Sequence, residues 1–301
     1  MILFKKKKEK VLQQDLGIND NGGHVFIIQL LMEEACEMPD KDTMSRVMAE
    51  HLGDTECFSY SNEMAGFSPK KYKSHIDKND VDLPAQLVVL KSSEIDRPLM
   101  DDISLSQLWN CPDADEILDK CKYHVVATDM LSALLDYKDR SKMLVAFVEA
   151  LAELYPSCKA FVFGNSNKMI TRDEIINCDM PEEIRFIYYA VNVRFFNVEG
   201  TSDMLVDTLG MSTICMPDLQ YHFHDMDPNE VVNHAYNMVS YMYDSDNPIK
   251  PGDLIDGVKD GEMSTEVQWE VQYESALIQP SREVIDINMG EYASGVRKQT
   301  K

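Results

Sequence analysis

Residues 107–130, QLWNCPDADEILDKCKYHVVATDM, decide how this chain folds. Pro112 stands where a helix can start, because the N–H it lacks is one that a first turn leaves unpaired anyway. Ile117 and Leu118 then face inward on a helix running to Cys121. YHVVATDM follows as a run without polar alternation, the pattern of a strand buried on both faces, and closes on Thr128-Asp129. A helix feeding a buried strand in so short a run defines a globular α+β domain.

Upstream, His24 to Met32 (HVFIIQLLM) is an apolar run of strand length, and Asp40 stands at the N-cap of a helix carrying Met44, Val47, Met48 and Leu52. Cys57–Ser61 and Ala85–Leu90 read as two further strands, joined by a polar loop containing KKYK. The order β-α-β-β-α-β predicts a split βαβ, or ferredoxin-like, arrangement, with helices covering one face of an antiparallel sheet.

Downstream, Lys138 to Tyr155 places Met143, Leu144, Phe147, Val148, Leu151 and Leu154 on one helical stripe that Pro156 ends. Lys159–Phe163 is a strand, Thr171 with Glu174 forms a capping box, and Arg185–Glu199 alternates as a long strand that Gly200 turns back into Asp203–Thr208. Leu219–His224 is a strand. Asp227, Pro228 and Glu230 then occupy N-cap, N1 and N3 of a helix. After a Gly- and Asp-rich loop at 246–262, Glu266–Leu277 and Val284–Met289 close the sheet.

The fold class is therefore α+β, with antiparallel or mixed sheets covered by helices in two ferredoxin-like halves. No Pro-, Ser- or Gly-rich linker separates them. The N-terminal half (23–135) and the C-terminal half (136–290) are expected to pack as one unit, between a basic leader at 1–22 and a frayed tail at 291–301.

The chain carries 29 Lys and Arg against 52 Asp and Glu, a net charge of −23. Such a surface repels nucleic-acid backbones and anionic membranes. The basic run at Lys5, Lys6, Lys7, Lys8 and Lys10 reads as a solvated tail. No signal-peptide core follows Met1-Ile2-Leu3-Phe4 and no apolar stretch is long enough to span a bilayer, so the protein is expected to be cytoplasmic. Seven cysteines (Cys36, Cys57, Cys111, Cys121, Cys158, Cys178, Cys215), none at CxxC spacing, suit buried thiols in a reducing compartment.

The segments LWNCPDADEILDKCKYHVVATDM, YKDRSKMLVAFVEALAEL, RFIYYAVNVRFFNVEG and LGMSTICMPDLQYHFHDMDPNEVVNHAYNMVSYMYD together resemble the bacterial domain-of-unknown-function family 4261, over residues 24 to 290. The resemblance implies a soluble bacterial protein with an α+β fold. It implies no catalytic residue.

Candidate chemistry is sparse. His222 and His224 alternate on one strand and share a face, with Asp225 and Asp227 beyond them, so they are candidate metal ligands and candidate catalytic groups. An edge strand has the same spacing, and Asp227 reads as a helix cap. Asp129 ends a buried strand, where sheets present catalytic carboxylates and where an Asp equally caps the next turn. Gly164-Asn165-Ser166-Asn167-Lys168 lacks the second glycine and GK[ST] ending of a phosphate loop and reads as a polar turn. Trp109 and Trp269 are candidate partner anchors, although such positions are more often core. No HExxH, GxSxG, GxGxxG or Walker-type motif occurs, and no cofactor is expected. These features predict a non-enzymatic module that binds a protein of basic character or a small ligand, immunity-like in kind. The alternatives are a metal-dependent or hydrolytic enzyme using His222, His224 and Asp129, and a structural subunit of a homo-oligomer joined at sheet edges.

Overall fold

In the computed structural model, which describes residues 25–76 and 80–295, the first apolar run forms β1 (Ile27–Met32). The basic leader, and the tail beyond residue 295, lie outside the described residues. Asp40 caps α1 (Lys41–Leu52), accepting from the N–H groups of Asp42 and Thr43 at 3.1 and 3.0 Å. β2 (Thr55–Tyr60), β3 (Met64–Pro69), β4 (Lys73–Ile76), β5 (Val81–Pro84), β6 (Gln86–Leu90) and the two-residue β7 (Ser93–Glu94) follow. Next come α2 (Asp102–Leu105), α3 (Ala114–Lys120), β8 (Tyr123–Met130), α4 (Tyr137–Leu154), β9 (Ala160–Phe163), β10 (Lys168–Thr171), α5 (Arg172–Ile176) and α6 (Arg185–Ala190). The chain continues through β11 (Asn192–Asn197), β12 (Met204–Leu209), β13 (Asp218–Phe223), α7 (Pro228–Asp244), β14 (Leu254–Lys259), β15 (Glu262–Ser275) and β16 (Glu283–Asn288).

This is an α+β fold built from two units. Among the described residues, the N-terminal unit takes in those up to Asn192 together with Leu209–Met216, and the C-terminal unit Val193–Thr208 and those from Pro217 on. The expected division at 135/136 falls inside the N-terminal unit, because β9 pairs with β1 and β10 with β9.

The N-terminal sheet has the order β10-β9-β1-β8-β6-β3-β2, with β7 also on β8, and its described pairings are antiparallel. β1 and β2 run parallel, but β8, β6 and β3 separate them, where a split βαβ places one strand. Of the two further strands, β3 lies in the stretch expected to be a polar loop. Its Gly66 makes room for the Phe58 ring, since a Cβ there would stand 2.5 Å from Phe58 Cζ. Helices cover both faces of this sheet. Leu31, Ala160, Val162 and Met169 pack against Leu108, Cys111, Ala114 and Cys121 of the α2–α3 region. On the opposite face Phe26 meets Phe163 of β9 and Phe186 of α6, with ring centroids 5.9 and 6.4 Å apart. α4 packs against α1, α5 and α6.

The expected long strand at 185–199 is half helix: Arg185–Ala190 is α6 and only Asn192–Asn197 is strand. Phe186, Ile187, Tyr189 and Ala190 are buried, a spacing that fits one helical face, and a 3₁₀ turn at Glu182–Ile184 starts the helix. The capping box at Thr171 and Glu174 forms as expected, each side chain engaging the other residue's N–H.

The C-terminal sheet has the order β11-β12-β13-β16-β15-β14. β13 and β16 pair in parallel, while β12–β13, β15–β16 and β14–β15 are antiparallel. Asp227 accepts from Asn229 N at 2.9 Å, Pro228 occupies the first turn, and α7 buries Val231, His234, Ala235, Met238, Val239 and Met242. β14 lies in the stretch expected to be a loop. Its Gly257 sits under Trp269, where a Cβ would approach the indole to 2.7 Å.

Candidate functional site

Asp129 ends β8 and is almost fully buried. Its Oδ1 accepts from Phe26 N at 2.7 Å, and its Oδ2 accepts from Arg140 Nε and Nη2 at 3.1 and 2.9 Å and from the Ser132 hydroxyl. Arg140, on the first turn of α4, also donates to the carbonyl of Thr213. The sequence places the carboxylate at a strand end, and α4 returns the guanidinium that neutralises it. Four donors leave this carboxylate fitted for joining β1, β8 and α4, a structural use that needs excellent geometry to offset desolvation.

His222 and His224 sit on or just past β13, in different settings. His222 is buried, with Nε2 3.5 Å from the Asp203 carboxylate. His224 is partly exposed and faces Asp225, its Nδ1 3.1 Å from Oδ2. Asp227 is taken up as the α7 cap. Among the described residues no group of three or more His, Cys, Asp and Glu side chains stands where it could hold a metal ion.

The C-terminal unit does contain polar centres that the sequence reading missed. Asp207 on β12 is fully buried and grips Arg194 of β11 bidentately, at 2.8 Å to Nε and 2.6 Å to Nη2. Arg282 adds Nη2 at 2.7 Å to Asp207 Oδ2 and Nε at 3.1 Å to Asp218 Oδ2. The remaining Arg282 donors reach the carbonyls of Thr208, Ile278 and Pro280, and Arg194 Nη1 reaches that of Gln279. Burial disfavours charge on Arg282, but Asp207 and Asp218 outweigh it and hold its pKa above the usual value. Two cations and two anions thus fasten three strands to the loop before β16. The available signal was an Asp in an otherwise apolar strand, MLVDTL.

His234 of α7 is the second such centre. Its Nδ1 lies 2.9 Å from the Tyr221 hydroxyl and its Nε2 2.8 Å from the Asp256 carbonyl, so Nε2 donates and Nδ1 accepts. Burial lowers its pKa, with the Asp256 carbonyl opposing. The ring packs on Trp269, centroid to centroid 4.9 Å, and Trp269 is core as expected. A cleft of about 420 Å³ opens beside it between α7 and the β14–β15 turn, lined by Glu230, Asn233, Asn237, Gly261 and Glu262.

In the N-terminal unit a cleft of about 490 Å³ lies over Cys121 and Cys158 and is rimmed by Glu33, Glu116, Lys120 and Arg172. Burial raises the pKa of both thiols, and pushes that of Cys111 up to about 11, so none is poised as a thiolate. Lys168 starts β10 rather than finishing a polar turn. It is buried, donates to the carbonyls of Tyr188 and Val191 at the end of α6, and is pushed by burial to a pKa of about 7 against the opposing Glu174 charge.

Trp109, expected at a core-type position, is instead about half exposed. Its neighbours Gln107 and Leu108 turn inward, so the indole is left on the outer side of the α2–α3 connection.

No helix among the described residues is long and apolar enough to cross a membrane. No curated protein and no solved structure matches the chain. Residues 207–288 match a family model described as a domain of unknown function, DUF4261, a stretch that begins at the buried Asp207 and runs through β13, α7, β14 and β15 into β16. It lies within the 24–290 span over which the sequence resembles that family, so the C-terminal part of the chain is similar to DUF4261.

Proposed function

We propose that this protein is a non-enzymatic binding module of the bacterial cytoplasm, whose acidic body recognises a basic protein partner as an immunity protein shields a toxin. The observation that carries this reading is that the chemically capable side chains are occupied by internal partners. Asp129 is neutralised by Arg140, His234 is fixed between Tyr221 and Asp256, and the Asp207 and Asp218 carboxylates are closed by Arg194 and Arg282. Groups held this way stabilise a scaffold, and what the scaffold offers to other molecules is its surface. The net charge of −23 favours a cationic partner and speeds its capture at low salt.

The test is affinity capture from the native host with the tagged full chain, followed by the mass of the purified complex. A stoichiometric basic protein whose release rises steeply with salt is the expected result. Absence of any stoichiometric partner, together with turnover of a hydrolysable substrate that is lost in Asp129→Asn at unchanged stability, would establish the enzyme reading in its place.

A further inference from the structure

We propose that Leu105 and Trp109 form the docking surface for a cationic amphipathic segment of a partner protein. The proposal rests on the binding-module reading above and adds to it a place and a chemistry.

The surface stands on a rigid base. Successive short turns run from α2 towards α3: Gln107 N donates to Ser104 O, Leu108 N to Leu105 O, Cys111 N to Leu108 O and Ala114 N to Cys111 O. Ser104, Gln107, Leu108, Cys111 and Ala114 point inward, the last three into a core with Leu31, Ala160, Val162 and Met169. Two amides tie the segment to the β10 side: Asn167 Nδ2 donates to Ser104 Oγ at 2.8 Å, and the segment's own Asn110 Nδ2 donates to the Met169 carbonyl of β10 at 3.1 Å.

On the outer side the same turns leave apolar groups in solvent: Trp109 is 49% exposed and Leu105 39%. A rise of about 1.5–2 Å per residue keeps the two within roughly 8 Å along the segment, a span one short helix of a partner can cover. A half-exposed Trp on a fixed backbone loses little freedom on binding and offers a large apolar area, the profile of an interface anchor.

Charge selects the occupant. From Leu99 to Asp119 the chain contains no Lys or Arg, while Asp102 and Asp113 are exposed on either side of Leu105 and Trp109, with Asp115 beyond. Asp113 stands at the N-cap of α3 without making a capping hydrogen bond. An apolar strip framed by carboxylates is complementary to a helix with a Leu-type face flanked by Lys or Arg. It rejects anionic segments, which would bring like charges together at close range.

The two tryptophans make the test direct, because Trp269 is only 1% exposed and Trp109 is the one in solvent. A synthetic Leu/Lys amphipathic peptide is titrated into the full chain while tryptophan emission is followed, with a fluorescein label on the peptide reporting total binding. The expected result is a saturable blue shift that salt weakens, that Trp109→Phe abolishes, and that a Leu/Glu peptide does not produce. The charge reversal Asp102→Lys with Asp113→Lys should weaken binding roughly tenfold or more, as should Leu105→Ser. Peptide binding without a change in Trp109 emission, or binding indifferent to the charge reversal, overturns the proposal. So does a blue shift that grows with protein concentration in the absence of peptide, which would make a second copy the occupant. Circular dichroism of each variant excludes unfolding as the cause of a loss. A captured host partner that binds the charge-reversed chain equally well would overturn this surface while leaving the binding module intact. Failure to capture any partner would strike the module reading, and the peptide titration would still decide the surface.

Discussion

Replacing Asp207 with Ala should cost about 4 kcal/mol of the C-terminal unit's stability. Asp207 has no exposure, and it accepts three charge-assisted bonds, two from Arg194 and one from Arg282. Each such bond is worth roughly 1.5–3 kcal/mol, but removing the carboxylate also ends its own desolvation cost. What remains is the penalty of an unpaired buried cation. Arg282 keeps Asp218, whereas Arg194 is left with the Gln279 carbonyl and the face of the Phe196 ring. Breaking a buried pair from one side costs roughly 3–5 kcal/mol, most of it for the stranded partner. The matching fall in melting temperature is roughly 16–32 °C, taking about 4–8 °C per kcal/mol for a unit of about 100 residues. The assay is urea unfolding followed by the emission of Trp269, which lies in the same unit, in a Trp109→Phe background. Asp207→Ala with Arg194→Leu should recover at least 1–2 kcal/mol of the loss, since the stranded cation is gone. A single-mutant loss below about 1 kcal/mol, or strict additivity of the pair, would refute the assignment of these residues as a coupled buried network.

Asp129→Asn, which keeps shape and removes charge, should lower stability by about 3 kcal/mol through Arg140, with unfolding curves unchanged in slope. Equal stability would mean the carboxylate is held for something other than its partners. His234 predicts a pH dependence. Burial keeps its folded pKa below the ordinary 6.5, so the unfolded chain takes up the proton first and stability falls as pH drops below 6.5. Urea midpoints at about pH 5.5 and pH 7.5 should differ less in His234→Gln than in the parent. His124, also lowered by burial, leaves part of the slope in place, so an unaltered difference in the variant is the refuting result.

What could be read ahead of the structure was local. Asp40, Thr171 with Glu174, and Asp227 with Pro228 are correct to the residue because a cap is settled by groups within a few positions of each other. β3 and β14 went unread because Gly66 and Gly257 look like turn residues. Both are glycines for a tertiary reason: Phe58 lies across the first and Trp269 across the second. RFIYYA reads as strand by composition, since Phe, Ile and Tyr favour strands, while its buried residues 186, 187, 189 and 190 keep helical spacing. The same division runs through the candidate sites. Asp129 was visible as a strand end, while Arg140 and Ser132, which decide its use, reach it only once α4 has packed. The Arg194–Asp207–Arg282 network joins residues far apart in the chain, and no spacing announces it.

The parallel pairing of Asp218–Gln220 with Val284–Asp286 puts the last strand in the middle of the C-terminal sheet rather than at its rim. During synthesis β11, β12 and β13 emerge first, and the β14–β15 hairpin later, as two separate pieces with an open edge each. Neither has its permanent neighbour until β16 arrives to join them and bring Arg282 to Asp207 and Asp218. The unit is therefore completed like an arch by its keystone. A chain that stops short of residue 283 loses the join between the pieces, and cellular proteases would meet two unfinished ribbons instead of a slightly trimmed domain.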